Sequence, residues 1–453
     1  MSGAFEGERA VVVGAGVAGT AVARALAEEG ASVRVTERRP ASELGDAAER
    51  LGALGVEFAA GGHDPTHLDG ATVLVTGPGV PEGAPVLAWA RDRGIPVWGE
   101  LELGARLCRT PYLAITGTNG KTTTTGMIAA CLRAGGVDAV ACGNIGHPFV
   151  TAARETHDAL VVECSSFQLR IQESFHPVVS VLLNLGPDHL DWHGSYEAYV
   201  EAKARVFLRQ TSGDTHVGNR DDAAAAAVSA EAPCRILWFG LTEPANGAVG
   251  YDPEGRLVAR VEGSAHLGWV DDARAGYRAD AAAAAAASLA FGALPEAVAT
   301  GIRGFEPEPH RGEVVAIVGG VRFVDNSKAT NVHAALAAID GWPAAVLIAG
   351  GRAKGVDLSP LRSRADRLSG VVTIGEAAPE LERVFGDRAV VRRAGSIEEA
   401  VGVAFRMAPA PGTVLLAPAC ASWDQFRDYR ERGDRFGAAA RALHEEVGAR
   451  GRP

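Results

Sequence analysis

One segment of this chain constrains its fold more than any other. Residues 112–123 read YLAITGTNGKTT. An apolar run of strand length leads directly into a turn with two glycines and then into a stretch that can continue as a helix. Glycines let backbone amides close around an anion, and the helix N-terminus adds positive potential. We therefore expect an α/β fold that binds its ligand at the carboxyl ends of parallel strands.

The turn itself is a candidate phosphate-binding loop. It comprises seven consecutive residues: Gly117, Thr118, Asn119, Gly120, Lys121, Thr122 and Thr123. Lys121 would place a point charge beside the phosphates, and the Thr122 hydroxyl could hold Mg²⁺. Only two residues separate Gly117 from Gly120, fewer than in the standard P-loop. The alternative is a chance glycine turn before a helix.

Composition narrows the class of protein. Of 453 residues, 47% are hydrophobic and 22% charged, so we expect two to four globular domains. A formal net charge of −11 disfavours nucleic acid as a partner. Six cysteines occur without a C-x-x-C pair, which argues against zinc and fits a reduced setting. We find no signal peptide and no apolar segment that could span a bilayer, so we predict a cytoplasmic protein with no membrane partner.

Alternating strand-like and helix-like segments delimit three α/β units. We predict domains at residues 1–109, 110–308 and 309–453, with the Pro-rich segment 306–309 as a linker. The N-terminal and C-terminal domains are expected to be Rossmann-like, and the central domain to be a parallel sheet of the P-loop ATPase type. Breaker residues within 211–278 prevent a secure placement of elements there.

Two further predicted strands end in residues that could serve the loop. Glu163 follows the apolar run 159–162, so its carboxylate is a candidate Mg²⁺ ligand. The run 178–183 leads through Asn184 to His189, which could bind metal or orient a carboxylate. The alternatives are a solvated strand end and a structural histidine. Because carboxyl ends of parallel strands meet at one edge, we favour a shared site.

The third unit carries three candidate segments after predicted strands, and two of them contain a lysine. Lys328 and Lys354 each follow a strand, and 417–424 follows a later one. Each could be an ordinary turn with a solvated lysine. Three such segments on one sheet edge favour a face that binds an anion.

The first unit opens with a dinucleotide-type glycine pattern. Gly14, Gly16 and Gly19 follow a strand, and Glu37 ends the next strand. An acidic Glu37 would suit a ribose diol, so an NAD-linked oxidoreductase is a competing class. A hydride-transfer enzyme, however, needs no separate ATP-type loop. The pair of motifs is better explained if the first unit binds another nucleotide-like ligand, such as a UDP-sugar.

Taken together, these motifs resemble the Mur ligase family over essentially the whole chain. The Gly117–Thr122 loop is similar to that of Mur ligases and folylpolyglutamate synthases generally. The branch that adds D-glutamate is suggested by Ser327–Asn331, Lys354 and Pro418–Phe426. The segment Asn144–Pro148 resembles the substrate-binding turn of the family.

The resemblance implies a reaction in peptidoglycan precursor synthesis. ATP would phosphorylate the carboxylate of UDP-N-acetylmuramoyl-L-alanine, and the amine of D-glutamate would attack the acyl phosphate. A carboxylate is a poor acyl donor until its oxygen becomes a good leaving group, and metal ions and lysines must neutralise the charges that meet. The implied cofactors are ATP and Mg²⁺, and we expect a monomer.

The resemblance also implies roles for individual residues. The ATP contacts would be the loop, with its Lys121, and also Arg311 and Lys328. The metal ligands would be Thr122, Glu163, His189 and a carbamylated Lys203, and the catalytic residues Lys121, His189 and Lys203. The D-glutamate site would comprise Thr330, Lys354, Ser422 and Tyr429. The UDP-substrate site would comprise Gly14, Gly16, Gly19, Glu37, Arg39, Pro78, Gly79 and Asn144.

Three positions depart from the family pattern. Asn326 stands where the family has Asp, with Asp325 one place earlier. Tyr277 replaces an Asn near the end of the middle domain, and Asp280 is the stand-in for a second one. Ala18 replaces the usual Thr in the uridine loop. A ligase for another amino acid, such as L-glutamate, and a nucleotide sensor without catalysis therefore stay open as alternatives.

Overall fold

The computed structural model describes residues 3–44, 46–261, 263–270 and 275–450, which fold into two compact units. The first unit comprises Met1–Leu185, Glu197–Val270 and Ala279–Phe305. The second comprises Gly186–Tyr196, Asp271–Arg278 and Glu306–Pro453. Two β-sheets lie in the first unit and one in the second.

The first sheet is fully parallel and has five strands. Its elements are β1 (Arg9–Val13), α1 (Val17–Glu28), β2 (Ser32–Glu37), α2 (Ala47–Gly52), β3 (Glu57–Ala60), β4 (Val73–Thr76), α3 (Pro85–Asp92), β5 (Val97–Gly99) and α4 (Glu100–Leu107), with 3-10 turns at Ala41–Glu43 and Pro65–Leu68. The strand order is β3-β2-β1-β4-β5. Continuous valine-rich runs in β1 and β4 are buried on both faces, as parallel strands covered by helices require.

The second sheet has nine strands and carries the candidate phosphate loop. Its strands are β6 (Tyr112–Thr116), β7 (Ala139–Gly143), β8 (Ala159–Glu163), β9 (Val179–Leu182), β10 (Thr215–Asn219), β11 (Arg235–Phe239), β12 (Ala248–Tyr251), β13 (Leu257–Arg260) and β14 (Ala265–Gly268). Their order is β14-β13-β12-β11-β10-β9-β6-β8-β7. Ile115 of β6 pairs with Glu163 of β8, so the loop and that carboxylate lie at the same sheet edge.

The middle of the chain also forms helices. They are α5 (Lys121–Ala134), α6 (Phe149–Ala152), α7 (Ser166–Leu169), α8 (Leu190–His193), α9 (Tyr196–Ala204), α10 (Ala223–Ser229), α11 (Ala275–Ala290) and α12 (Pro295–Arg303), with a 3-10 turn at Arg205–Phe207. The alanine run 281–287, predicted to be helical, lies in α11 and is fully buried. Alanine there lets the helix pack closely against its neighbours.

The third sheet has six strands and forms the centre of the second unit. Its elements are β15 (Glu313–Val318), β16 (Val321–Asp325), α13 (Val332–Gly341), β17 (Val346–Gly350), β18 (Gly370–Ile374), α14 (Ala378–Phe385), β19 (Val391–Arg393), α15 (Ile397–Met407), β20 (Gly412–Leu416) and α16 (Tyr429–Arg450), with a 3-10 segment at Ser359–Arg367. The order β15-β16-β20-β17-β18-β19 is parallel except for the β15–β16 hairpin. Separate apolar layers cover its two faces.

The predicted α/β class and its three sheets are confirmed, and the boundaries at 109/110 and 308/309 stay predictions. Residues 211–278, whose elements the sequence did not place, supply β10 and β11 and then the antiparallel strands β12, β13 and β14. Within the described residues, no helix combines the length and the apolar character needed to cross a membrane.

The third sheet allows a direct test of its core. Phe323 of β16 is fully buried and lies 6.0 Å and 6.1 Å, between ring centroids, from Phe405 and Phe436. We predict that Phe323→Ala lowers the unfolding free energy of this unit by about 3–5 kcal/mol, through lost burial and a cavity. Denaturant unfolding measures the change. Ile317→Ala in β15, at a side chain 60% exposed, should change it by less than about 0.5 kcal/mol; equal losses would contradict the assignment.

Candidate functional site

The glycine loop joins the end of β6 to the start of α5, and two of its positions require glycine. Gly117 and Gly120 have φ angles of 152° and 83°, in the left-handed region. A Cβ on Gly120 would lie 2.1 Å from Oδ1 of Asp280, and one on Gly117 would lie 2.8 Å from Cβ of Leu183. The surrounding chain therefore leaves no room for a side chain at either position.

Two ammonium groups meet at one carbonyl oxygen of this loop. Lys121 Nζ donates to the carbonyls of Gly117 at 2.9 Å and Thr118 at 2.8 Å, and Lys203 Nζ donates to Gly117 at 2.7 Å. Lys203, which would be a surface lysine by residue chemistry alone, is only 2% exposed because α9 packs it against the loop. Its Nζ lies 4.7 Å from the ring centre of Tyr199, whose hydroxyl contacts Thr118 Oγ1 at 2.8 Å. The loop thus concentrates positive charge.

Neighbouring elements hold the rest of the loop. Asn184, after β9, accepts the Asn119 N–H at its Oδ1 at 2.9 Å and donates from its Nδ2 to the Asn119 carbonyl at 3.2 Å. Asp280 of α11 accepts the Thr124 hydroxyl at 3.2 Å. Asp280, singled out as a departure from the family, therefore lies against the loop itself.

Glu163, Thr122 and Asn144 form a hydrogen-bonded group beside the loop. The Thr122 hydroxyl donates to Glu163 Oε2 at 2.7 Å, and the Asn144 amide donates to Oε1 at 2.9 Å. Glu163 is 2% exposed, with no arginine or lysine bonded to it among the described residues. A carboxylate and a hydroxyl are the hard oxygen donors that Mg²⁺ takes alongside phosphates and water. These side chains therefore fit a Mg²⁺ ion held together with nucleotide phosphates.

A carboxylate–arginine pair is hydrogen-bonded to the glycine turn of the first sheet. Glu37 Oε2 accepts the Ala15 N–H at 2.8 Å, and its two oxygens accept Arg39 Nε at 3.2 Å and Nη2 at 3.1 Å. Burial by itself raises the pKa of Glu37, but the hydrogen bonds from Arg39 and Ala15 outweigh it and hold that pKa at about 2. Glu37 is thus ionised and already engaged, and its oxygens orient Arg39 beside the turn.

A cavity of about 1000 Å³ in the first unit is lined by Asn144 and by the Glu37–Arg39 pair. It brings together all eight residues predicted for the UDP substrate: Gly14, Gly16, Gly19, Glu37, Arg39, Pro78, Gly79 and Asn144. Glu100 and Gln168, which sequence reasoning did not identify, also line it and are joined by a 3.2 Å hydrogen bond. Asn144 faces the cavity and bonds Glu163, so the cavity reaches the phosphate edge of the second sheet.

The predicted amino-acid residues lie on loops at one edge of the third sheet. Thr330 follows β16, Lys354 follows β17, and Ser422 follows β20, and these strands are neighbours. Arg352 and Ala421 exchange backbone hydrogen bonds of 2.8 Å and 3.0 Å, which ties the second and third loops together. The Ala419 N–H donates to the Ala329 carbonyl at 2.9 Å, so the first loop is joined to the third and all three are connected.

Aromatic rings accompany both lysines of this edge. Lys328 Nζ lies 3.9 Å from the ring centre of Tyr429, at the start of α16. Lys354 Nζ lies 5.3 Å from the ring centre of Trp423, a side chain 63% exposed. Cation–π contacts of this length favour a fixed position of the ammonium group.

At the departure from the family pattern at residues 325 and 326, Asp325 acts through its side chain and Asn326 through its backbone. Asp325 is 1% exposed, and its carboxylate accepts the Ser327 N–H at 2.9 Å and contacts His310 Nδ1 at 2.7 Å. This hydrogen bond to Asp325 raises the pKa of His310. Asn326 contributes through its backbone, donating to Leu416 and accepting from Ala329, both at 2.9 Å. Arg311 follows His310 and donates to Glu308 at 3.5 Å.

His189 belongs to the second compact unit, whereas Thr122, Glu163 and Lys203 belong to the first. Its backbone is left-handed, with φ 53°, and its N–H donates to Asp188 at 3.0 Å. The predicted pairing of His189 with Lys203 at a metal stays a prediction.

The Glu37–Arg39 pair predicts a pH effect. A carboxyl whose pKa falls on folding stabilises the fold above its unfolded value of 4.5, and this contribution is lost as the pH drops toward about 2. Arg39→Met should raise the Glu37 pKa well above about 2, because burial remains while the opposite charge is removed. NMR titration of Glu37 measures it. Arg38→Met, at the exposed neighbour, should leave that pKa near 2; the same low pKa in both variants would contradict the assignment.

Known protein domains and enzymes match this chain. Residues 115–265 match the model of the Mur ligase middle domain, and residues 8–99 match that of the MurD-like N-terminal domain of Mur ligases. The UDP-N-acetylmuramoylalanine–D-glutamate ligase of Frankia casuarinae is 44% identical, covering 95% of this chain and 93% of the relative. The enzyme of the same name from Thermobifida fusca is 42% identical, covering 97% and 99%.

Solved structures support the fold. The MurF ligase of Thermotoga maritima in complex with ADP superposes with a TM-score of 0.63 at 16% identity, covering 92% of this chain and 95% of that one. The UDP-N-acetylmuramate-alanine ligase MurC of the same organism gives a TM-score of 0.59 at 16% identity, covering 96% and 99%. Since its curated relatives align over nearly their whole length at 42% and 44% identity, the chain belongs to the Mur ligase family.

Proposed function

We propose that this protein uses ATP and Mg²⁺ to join D-glutamate to UDP-N-acetylmuramoyl-L-alanine. The observation that carries the proposal is the position of Asn144. Its side chain lines the nucleotide-sized cavity and also bonds Glu163, beside the glycine loop. A carboxylate at the end of a substrate in that cavity would thus approach the γ-phosphate of ATP in the loop. Because the chain belongs to the Mur ligase family, the alternative of an NAD-linked oxidoreductase is set aside.

The reaction balances in two steps. A carboxylate oxygen of the substrate attacks the γ-phosphorus, the bond from that phosphorus to the β–γ bridging oxygen breaks, and ADP leaves. The D-glutamate amine then attacks the acyl carbon, and the tetrahedral intermediate expels inorganic phosphate as the amine loses a proton. The carboxylate oxygen that was phosphorylated leaves with the phosphate. Positioning and charge neutralisation supply most of the catalysis in such transfers.

The loop would bind the triphosphate through its backbone amides and Lys121. In the structure the Lys121 ammonium bonds the carbonyls of Gly117 and Thr118, and it would exchange these bonds for phosphate oxygens. Arg311 and Lys328 of the second unit are the further proposed ATP contacts. Thr122 and Glu163 would hold one Mg²⁺, and His189 and a carbamylated Lys203 a second; bound Mg²⁺ would neutralise phosphate charge.

The amino acid would bind at the loops of the third sheet. D-glutamate carries two carboxylates, and Lys354 supplies a cation among the proposed contacts Thr330, Ser422 and Tyr429. The hydrogen bonds between these loops support a preformed site. The names of the relatives support D-glutamate over other amino acids. Cytoplasmic location and a monomeric state complete the proposal.

A substrate panel tests this function. We predict ADP release only when UDP-N-acetylmuramoyl-L-alanine and D-glutamate are both present, with L-glutamate and diamino acids inactive. Lys121→Ala should lower kcat by at least about 10²-fold, because the developing phosphoryl charge loses its cation. Arg133→Ala, at an exposed residue of the same helix, should retain activity. Turnover with a different amino acid, and none with D-glutamate, would overturn the assignment.

The small number of lysines in this chain allows a direct test of carbamylation at Lys203. The chain contains only four lysines among 44 lysine and arginine residues: Lys121, Lys203, Lys328 and Lys354. We predict a single carbamate signal by ¹³C NMR in ¹³C-bicarbonate. It should vanish in Lys203→Arg and persist in Lys354→Arg. A signal that survives Lys203→Arg, or no signal at all, would contradict carbamylation at this residue.

A further inference from the structure

The second unit contains a fully buried arginine to which the proposed function gives no role. Arg432 lies in α16, and its side chain has no solvent exposure. Burial lowers its pKa to about 10, so the guanidinium still carries its charge at neutral pH. Among the described residues no carboxylate forms an ion pair with it; Asp325 and Asp424 act on it only through space. A buried charge without an ion-pair partner is costly unless its hydrogen bonds are satisfied.

The hydrogen-bond donors of the guanidinium are satisfied by acceptors on three loops. Its Nε and Nη2 donate to the hydroxyl and the carbonyl of Ser327 at 3.0 Å and 2.9 Å. Its Nη1 donates to the carbonyls of Cys420 at 3.2 Å and Gly350 at 3.4 Å. The Ser327 hydroxyl in turn donates to the Tyr429 carbonyl at 2.7 Å. One planar group therefore connects the loops after β16, β17 and β20 to the start of α16.

These loops carry three of the four proposed contacts of the amino acid, and the fourth, Tyr429, begins α16. Ser327 precedes Thr330, Gly350 begins the loop of Lys354, and Cys420 lies two residues before Ser422. The planar fork of a guanidinium spreads five donors over three nitrogens and can reach several loops at once, whereas an ammonium donates from a single point and an apolar side chain has no donor. Loops fixed in advance spare the substrate the entropic cost of ordering them.

We propose that Arg432 is a positioning residue that fixes these three loops and thereby sets the affinity for the amino-acid substrate. This role rests on the proposed function for its kinetic consequence, whereas the loop order it predicts can be measured without turnover. Arg432 touches no substrate itself; it acts through Ser327, Gly350 and Cys420.

The experiment compares Arg432→Lys and Arg432→Met with Arg435→Met in the full-length protein. Arg435 is the matched control, because it lies on the same helix and forms an ion pair with Glu398 at the surface. Hydrogen–deuterium exchange reports the order of loops 326–331, 350–355 and 417–422. Steady-state kinetics report the KM for D-glutamate and for the UDP substrate, whose proposed cavity lies in the other unit.

We expect both Arg432 variants to exchange faster in all three loops. The KM for D-glutamate should rise by about 10-fold or more and the KM for the UDP substrate by less than about 2-fold. Arg435→Met should match the wild type in both measurements. Should Arg432→Met fail to fold, Arg432→Lys and Ser327→Ala carry the same comparison.

Unchanged exchange in the three loops would overturn the proposal, and so would faster exchange with an unchanged KM for D-glutamate. A parallel rise in both KM values would indicate a general loss of structure and would also overturn it. If the wild type does not use D-glutamate, the proposed function fails, and the exchange data still decide whether Arg432 orders the loops.

Discussion

The carbonyl oxygen of Gly117 accepts hydrogen bonds from two lysines, and the candidate site depends on this arrangement. Lys121 reaches it from the helix that follows the loop, and Lys203 from α9, far along the chain. Two like charges within one loop repel each other unless an anion or a chemical change relieves them. A triphosphate at Lys121 and a carbamate at Lys203 would each do so. The loop conformation is fixed independently, because Asn184 holds Asn119 by hydrogen bonds and Leu183 and Asp280 leave no room for side chains at Gly117 and Gly120.

The use of lysine in this chain agrees with that interpretation. Arginine serves the surface ion pairs that the structure describes, such as Arg34 with Glu57 and Arg435 with Glu398. In the proposed function, each of the four lysines serves the binding of nucleotide, metal or amino acid. Arginine cannot replace a compact ammonium in a phosphate loop, and it cannot become a carbamate. Lysine in this chain thus coincides with the positions where the proposed chemistry uses an amine.

Sequence reasoning reached the fold because the strongest signals were local. The strand Tyr112–Thr116 is as predicted, and Glu163 lies at the end of β8, because apolar runs and glycine turns act over a few residues. The burial of polar residues could not be predicted from local sequence in the same way. Lys203 and Arg432 have the sequence surroundings of solvated helix residues, and only tertiary packing places them inside. The contact between Asn144 and Glu163 likewise joins segments whose proximity follows from the order of β7 and β8 in the sheet.

The central claim is that ATP phosphorylates the substrate carboxylate before the amide forms, and isotope transfer tests it directly. UDP-N-acetylmuramoyl-L-alanine labelled with ¹⁸O in its terminal carboxylate would be turned over with ATP and D-glutamate, and the inorganic phosphate analysed by mass spectrometry. We predict one ¹⁸O atom from the carboxylate in each phosphate released. Amide product formed with unlabelled phosphate would contradict the acyl-phosphate route and the role assigned to the glycine loop.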